Sequence, residues 1–523
     1  MMGNRTRSMA LAGALLLCAV AALTATGESE LLKAVKTRDL TAVRALIEQR
    51  ADVNIREADG TTPLHWAARA GDLPIVDRLI RAGARANVVN RYGMSPLALA
   101  AGSGSAEVVA ALLNAGADLT ITDRALPDGQ TSLMLAARAG NVDTLVQLAR
   151  HGANVNAKEN RTGTTALMWA AAEDRAAAVT GLVALGADVN IRSRVTDYPH
   201  TPPGVIGDKL EPDASYVGQT VLPKGGWTAL MYAARQGALE AARALADAKV
   251  DLDITDPDGS SALIFAIINV NYDVAQVLVE KGANVNLADR TGATPLYSAV
   301  EMHTMPTTFG RPDLPPLVVA GSVDAVKMLL AHGANPNATL TSKVIKRVYN
   351  GGDGKLDAGA TALMRAARGG DVVMMRILLD AGADPRLAQK NGNSALLLAA
   401  ALGPKGGSDN NPDKGTYRDA IAAMTLLLEM GADINAPNVA GDTAAHVAVA
   451  SPQILQFLAD HGAKMDVKNK QERTPLDAAL RARDSNEKAV ALLRQLTGDF
   501  TTQIPDSEKG GDSPRRAREA VEQ

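Results

Sequence analysis

The 523-residue chain carries 54 Lys plus Arg against 57 Asp plus Glu, a formal charge of −3 at pH 7 and an isoelectric point near 6.2. This near-balance excludes the strong basic excess that would signal nucleic acid or an anionic membrane surface as a general partner. Apolar residues make up 46% of the chain but aromatics only 3%, so its core must be built from Ala, Leu and Val packed between helices rather than from rings.

The first segment reads as a leader. Arg5 and Arg7 precede an apolar run from Met9 to Leu23, too short for a comfortable bilayer span, and Ala25-Thr26-Gly27 follows with the small residues of a cleavage site. Residues 1–27 are therefore expected to be a secretory signal peptide, with an uncleaved anchor as the other reading; either places residue 28 onward outside the cytoplasm. Cys18, the single cysteine, lies inside the run behind Leu17, whereas lipid attachment wants a small residue before the cysteine. Cleavage leaves no thiol, so neither disulfide nor thiol chemistry is expected and stability must come from packing.

Residues 28–58 hold Leu31, Leu32, Val35, Val43, Leu46 and Ile47 at helical spacing, with Lys33, Arg38 and Arg44 for a solvent face, as an N-terminal capping unit would. A phrase then recurs: Thr62-Pro63-Leu64-His65-Trp66-Ala67-Ala68, Ser95-Pro96-Leu97-Ala98-Leu99-Ala100-Ala101, Thr165-Ala166-Leu167-Met168-Trp169-Ala170-Ala171 and Thr361-Ala362-Leu363-Met364-Arg365-Ala366-Ala367. Thr62 is a good N-cap and Pro63 suits the first helical turn, where its missing N–H would be unpaired anyway. Leu64, Ala67 and Ala68 share one face, and Gly71 ends the helix. Ile75, Val76, Leu79 and Ile80 form the stripe of a second helix, which Gly83 terminates. Asp and Asn after that glycine favour a tight turn. Each unit thus reads as two antiparallel helices plus a hairpin-like connection, and no unit can bury its stripe alone.

The glycine two positions before each phrase measures the period. Gly60, Gly93, Gly129, Gly163, Gly226, Gly259, Gly292, Gly359, Gly392 and Gly441 are separated by 33, 36, 34, 63, 33, 33, 67, 33 and 49 residues. Four insertions break a base period of about 33. Those at 191–225 and 338–358 fall between units and should extend the connections; those at 304–319 and 403–415 fall between the two helices of one unit. The 304–319 stretch carries Pro306, Phe309, Pro312, Pro315 and Pro316 and is expected to be an extended, stiff loop. The 338–358 stretch carries Lys343, Lys346, Arg347 and Tyr349 before a glycine-rich turn. Loops of this kind are either tolerated surface or binding elements. Residues 226–471 continue the array, 472–497 read as a C-terminal cap, and 498–523 as a disordered tail.

The period and the Thr-Pro-Leu-His-x-Ala core resemble the ankyrin repeat over residues 28–497. The resemblance implies an all-α solenoid of about twelve helix-turn-helix units joined by short β-hairpin-like connections, with first helices and fingers lining a concave groove. Because proteins of this family usually stay inside cells, an exported one implies a bacterial periplasm, or secretion. The implied role is a non-enzymatic scaffold for a protein or peptide, monomeric, with no nucleic acid, no cofactor and no membrane span after leader cleavage.

Two residues after each core leucine, a side chain is rotated about 200° from it. This slot holds Trp66, Leu99, Leu135, Trp169, Tyr232, Phe265 and Leu398, and Trp227 directly follows Gly226. The bulky members either cover neighbouring stems or contact a partner in the groove. The candidate partner-binding set is Trp66, Trp169, Trp227, Tyr232, Phe265, Phe309, Lys346, Arg347 and Tyr349. The alternative is a small-ligand, glycan or metal site formed by the insertions of the C-terminal half. No catalytic or metal set is expected. Five of the seven histidines, His65, His446, His151, His332 and His461, recur at repeat positions, which leaves His200 and His303 at insertions. Asp409, Asn411 and Asp413 have calcium-loop spacing, but Lys414 and Ala420 stand where its glycine and glutamate should be.

Overall fold

A computed structural model describes residues 29–195, 225–304, 316–344, 355–402, 416–482 and 486–503. The leader at 1–27, most of the insertion at 191–225, residues 305–315, 345–354 and 403–415, and the tail from 504 lie outside the described residues. What is described groups into two compact units. Unit 1 holds 29–195, 225–233 and 238–250, and unit 2 holds 234–237 and the described residues from 251 onward.

Unit 1 runs α1 (Glu30–Lys36), α2 (Leu40–Glu48), α3 (Pro63–Ala70), α4 (Leu73–Arg81), α5 (Pro96–Ser103), α6 (Ala106–Asn114), α7 (Leu119–Ala125), α8 (Ser132–Ala139), α9 (Val142–Arg150), α10 (Ala166–Ala172) and α11 (Ala176–Ala184). Next comes α12 (Ala229–Gln236), whose last turn belongs to unit 2, and then α13 (Leu239–Asp247). The first helices α1, α3, α5, α8 and α10 pack on one another in order, as do the second helices α2, α4, α6, α9, α11 and α13. The core is Leu64, Leu97, Leu133 and Leu167 from the first row and Ile75, Leu79, Leu112 and Leu145 from the second, all at 2% exposure or less. The alanines of the phrase are what let the helices approach, and Ala68, Ala101, Ala137 and Ala171 are fully buried.

Unit 2 repeats the scheme with α14 (Ala262–Ile268), α15 (Tyr272–Glu280), α16 (Pro295–Thr304), α17 (Pro316–Ala331), α18 (Ala362–Gly369), α19 (Val372–Asp380), α20 (Ala395–Ala400), α21 (Tyr417–Glu429), α22 (Ala444–Val447), α23 (Pro452–Asp460), α24 (Pro475–Arg481) and α25 (Glu487–Thr497). Apart from α7, the described helices form twelve pairs, the number the period implies. The two insertions inside a pair lengthen the second helix: α17 has 16 residues and α21 has 13, against nine in α19. The 304–319 stretch is therefore not loop throughout, because α16 runs to Thr304 and Pro316 opens α17 at the helix position proline suits best.

The connections are turns rather than hairpins. Among the described residues no strand forms, and only the isolated bridges Thr255–Ser261 and Ala388–Ser394 mark where the two arms touch. At six connections an asparagine side chain clips one turn to the next. Asn87 Nδ2–H donates to the Gly116 carbonyl at 2.9 Å while its Oδ1 accepts from Asp118 N–H at 2.8 Å. Asn54, Asn156, Asn286, Asn337 and Asn435 repeat the bridge onto Gly83, Gly186, Gly333, Gly382 and Gly462. Fingertip backbones add a second tie, Arg91 N–H to the Asp59 carbonyl at 2.8 Å and Lys390 N–H to the Ala358 carbonyl at 2.8 Å. Both long insertions between repeats leave this base intact. Ser193 N–H reaches the Trp227 carbonyl at 2.9 Å, and Leu340 N–H the Ala360 carbonyl at 2.9 Å.

One connection differs. Between α6 and α8 the turn is replaced by α7 and a 3-10 turn over Pro127–Gly129, which accounts for the 36-residue separation of Gly93 from Gly129. Gly93, at φ 74°, sits so close that a Cβ there would lie 1.8 Å from the Ala125 carbonyl oxygen.

His65 joins two repeats. Its Nδ1 accepts from the Thr62 N–H at 3.1 Å, so the hydrogen resides on Nε2, which donates to the Met94 carbonyl of the next repeat at 3.1 Å. His446 does the same between Thr443 and the Arg473 carbonyl. Burial pushes the His65 imidazole below its ordinary value of 6.5, against the opposing pull of the Met94 carbonyl. An unfolded chain takes up a proton near 6.5 that the folded chain accepts only at lower pH, so this contribution is complete above 6.5 and is lost as pH falls below it. Urea midpoints followed from neutral to mildly acidic pH should show that loss. His65→Asn should be less stable at neutral pH but have a shallower acid limb; an unchanged limb would contradict the assignment.

Where repeat 2 has Gly71 at φ 68°, the α14–α15 turn has Val270 at φ 67°, a left-handed conformation that a β-branched side chain adopts at a cost of roughly 1–2 kcal/mol. Val270→Gly should therefore raise stability by about 1 kcal/mol in equilibrium denaturation, and a loss of stability would show that the valine side chain contributes more by packing.

Candidate partner-binding surface

The slot two residues after the core leucine runs along the first helices of unit 1. Trp66, Leu99 and Trp169 are half-buried there, and Leu135 is 5% exposed. Trp66 donates its indole N–H to Glu57 Oε2 at 2.7 Å, and Glu57 also pairs with Lys36 at 2.7 Å. The Lys36 ammonium lies 5.0 Å and the Arg69 guanidinium 5.7 Å from the Trp66 ring centre. Trp169 is built alike. Its N–H donates to the Thr164 hydroxyl at 2.9 Å, Arg138 of the preceding repeat lies 5.4 Å over its ring, and it packs against the cluster of Ala98, Leu126 and Leu135.

The finger beneath Trp169 is held by Glu159. Burial raises its carboxyl, but bonds from the Thr162 and Thr164 hydroxyls and from the Arg161, Thr162 and Thr164 amides outweigh burial and bring it down to about 2. The two indoles are therefore fixed by internal hydrogen bonds. What they present to a partner is ring face and edge framed by cations, not a donor. Beside Leu126, α7 and the turn at Asn154 border an open depression of about 660 Å³. There burial pushes the Asp123 carboxyl up against the opposing bonds from the Ser132 amide and hydroxyl.

The remaining candidates do not join this surface as a group. Trp227 and Tyr232 meet edge to face, ring centres 5.4 Å apart, and the backbone N–H of Trp227 donates to the Ser193 hydroxyl at 3.0 Å. Phe265, in unit 2, is 7% exposed and offers little area. Phe309, Lys346, Arg347 and Tyr349 lie outside the described residues, as do Cys18, His200 and the 409–413 carboxylates and amides. Sequence reasoning missed Arg69 and Arg138, although each stands three residues after a slot residue, one helical turn on. It also missed Leu126, which the anomalous 36-residue separation could have flagged.

His303 is bonded where no partner was foreseen. Its Nδ1 lies 2.6 Å from Ser322 Oγ on α17 and its Nε2 2.8 Å from Asp371 Oδ2, the cap of α19. The trio imitates a nucleophilic triad in composition, but Ser322 is 1% exposed and the other oxygen of Asp371 caps Met374 N–H at 3.0 Å. The geometry is that of a brace between neighbouring repeats. Among the described residues no group of three metal-ligating side chains comes together, and no helix is long and apolar enough to cross a membrane.

Paired helices stacked by repeat, clipped through their turns and carrying side-chain diversity on one face, define a repeat scaffold. The family description "Ankyrin repeats (3 copies)" matches residues 31–123, 121–193, 213–289, 230–308, 321–407 and 416–504, and "Ankyrin repeat" matches 291–339. The chain belongs to the ankyrin-repeat family, whose repeats bind protein partners and are generally non-enzymatic modules.

Similar proteins include E3 ubiquitin-protein ligase KEG of Arabidopsis thaliana, 25% identical over 408 residues, covering 70% of this chain and 21% of the relative. Neurogenic locus notch homolog protein 1 of Danio rerio is 29% identical over 33% of this chain and 8% of its own length. The B-cell lymphoma 3 protein homolog of Mus musculus is 27% identical over 34% of this chain and 33% of its own. The chain thus spans a third or less of the length of each. The human ASB11 ankyrin repeat domain, a solved structure, aligns at 26% identity and TM-score 0.39 over 49% of this chain and 99% of that one.

Proposed function

We propose that this protein is a non-enzymatic interaction scaffold that binds a protein or peptide through the first-helix face of unit 1. The observation that carries the reading is the pair of half-buried indoles, Trp66 and Trp169, each with its N–H satisfied inside the fold and a guanidinium over its ring. Such rings are ordered before a partner arrives, so little side-chain entropy remains to be lost on binding. Rings framed by Lys36, Arg69 and Arg138 favour a segment that combines apolar side chains with acidic ones. The chain's action is recognition; the ligase function named for the plant relative belongs to a protein of which this chain covers 21%.

The Arg5, Arg7 and Met9–Leu23 pattern supports placing this binding outside the cytoplasm, in a periplasm or beyond the cell. Expressed with its leader in a Gram-negative host, the chain should appear in the osmotic-shock fraction with a new N-terminus near residue 28. Cytosolic protein retaining Met1 would contradict this.

Capture from envelope extract should fall sharply when Trp66 and Trp169 are both changed to Ala, with helix content unchanged. Truncating such a residue at an interaction hot spot costs about 2 kcal/mol, roughly thirty-fold in affinity. An Arg81→Ala control on a second helix should bind normally. Undiminished capture by the double variant would overturn the assignment of this face.

A further inference from the structure

The bridged connections all use the same two backbone groups, the carbonyl of the closing glycine and the N–H two residues later. An asparagine of the preceding connection fills both, its Nδ2–H donating at 2.9–3.3 Å and its Oδ1 accepting at 2.7–2.9 Å. The connection after α9 lacks its bridge. Thr120 stands four residues after Gly116, where Asn87 and Asn156 stand after Gly83 and Gly152, and it lies in the first turn of α7. The Gly152 carbonyl and the Asn154 N–H consequently have no hydrogen-bond partner among the described residues. Thr120, Gly152 and Asn154 all line the depression of about 660 Å³ beside α7, so the unfilled pair adjoins room for a ligand.

The chemistry that fills such a pair is narrow. A primary carboxamide presents an N–H donor and a carbonyl acceptor on one end, as the asparagine bridges do. A single trans peptide group carries the two on opposite edges and meets only one of them. A carboxylate accepts but has no hydrogen to give, and an ammonium gives but cannot accept. Asp253 shows the half-filled case: its carboxylate accepts from Asn284 N–H at 2.9 Å and has no proton to offer the Gly282 carbonyl. The charged side chains around the depression, Asp123, Arg124 and Asp128, are of both signs, so nothing there selects a strongly charged ligand in place of a neutral amide.

We propose that the depression beside α7 is a receptor for a primary carboxamide, which donates to the Gly152 carbonyl and accepts from the Asn154 N–H. The carboxamide can come from an asparagine or glutamine side chain of a polypeptide or from a small amide; the recognition chemistry is the same. The site lies at the turns rather than on the slot face, so it and the tryptophan surface stand or fall separately.

The test follows the Asn154 backbone amide by NMR in the full chain labelled with 15N-asparagine, the resonance being assigned with Asn154→Asp. The probes are acetamide and four acetyl-Ala-Xaa-Ala-N-methylamide peptides with Xaa Asn, Gln, Asp or Ala, a blocking group that adds no primary carboxamide of its own. The Asn or Gln peptide should shift this amide at a concentration at least about ten-fold lower than the Asp or Ala peptide, the preference two net hydrogen bonds supply. Thr120→Phe, which puts a bulky ring at the edge of the depression, should remove the response with helix content unchanged; the wild-type series decides the matter even if that variant does not fold. Tighter binding of the peptide than of acetamide assigns the carboxamide to a polypeptide, the reverse to a small amide, and either supports the site. Equal responses to all four peptides, preference for the Asp peptide, no response to any probe, or an undiminished response in folded Thr120→Phe would overturn it.

Discussion

No helix pair in this protein encloses its own core, and that constraint governs everything else. Leu79 and Leu112 are at 0% exposure because each lies between its own repeat and the next. Stability is a sum of interfaces between neighbours, and each interface has to be held at a fixed spacing for the stripes to meet. The asparagine bridges supply that spacing at the turns, and His65 and His446 supply it at the start of the first helices. Close approach does the rest, since alanine on the first helices and glycine at the turns leave no side chain in the way.

A scaffold fixed by backbone and asparagine contacts at the turns, and by alanine and leucine along the seams, leaves one position per repeat undetermined. The slot two residues past the core leucine accepts tryptophan, leucine, phenylalanine, serine or arginine without altering the pairs on either side. In unit 1 its members are mostly half-exposed and lean towards rings framed by cations. In unit 2 Phe265, Ser298, Arg365 and Leu398 are all buried. The same geometrical address is therefore mostly half-exposed in unit 1 and buried in the first four repeats of unit 2.

Most of the architecture was legible in the sequence because each signal repeats. A Thr-Pro or Thr-Ala start, two alanines and a glycine specify a helix pair once, and ten recurrences remove the ambiguity of any single instance. What was not legible depends on contacts between repeats. The asparagine four residues after Gly83, Gly152, Gly282, Gly333 or Gly431 reads as a turn former, and only the next repeat reveals it as a bridge. His303 reads as the residue of an insertion, and only the neighbouring Asp371 shows it to be a brace. The departure at α7 was encoded in three surplus residues, but length alone does not say that a turn becomes a helix. The slot aromatics were found by pattern, whereas their cationic frames were not, because Arg69 and Arg138 look like ordinary solvated residues until their distance from a ring is known.

The central claim is that recognition uses the first-helix slot face of unit 1 rather than its outer second helices. Site-specific photo-crosslinking tests this most directly. A photoreactive residue at Leu99, between the two tryptophans, should give a discrete adduct with a polypeptide partner in envelope extract. The same group at exposed Arg81 or Asp143 on the second helices should give none above background. Adducts confined to Arg81 and Asp143, or equal at all three positions, would contradict the account.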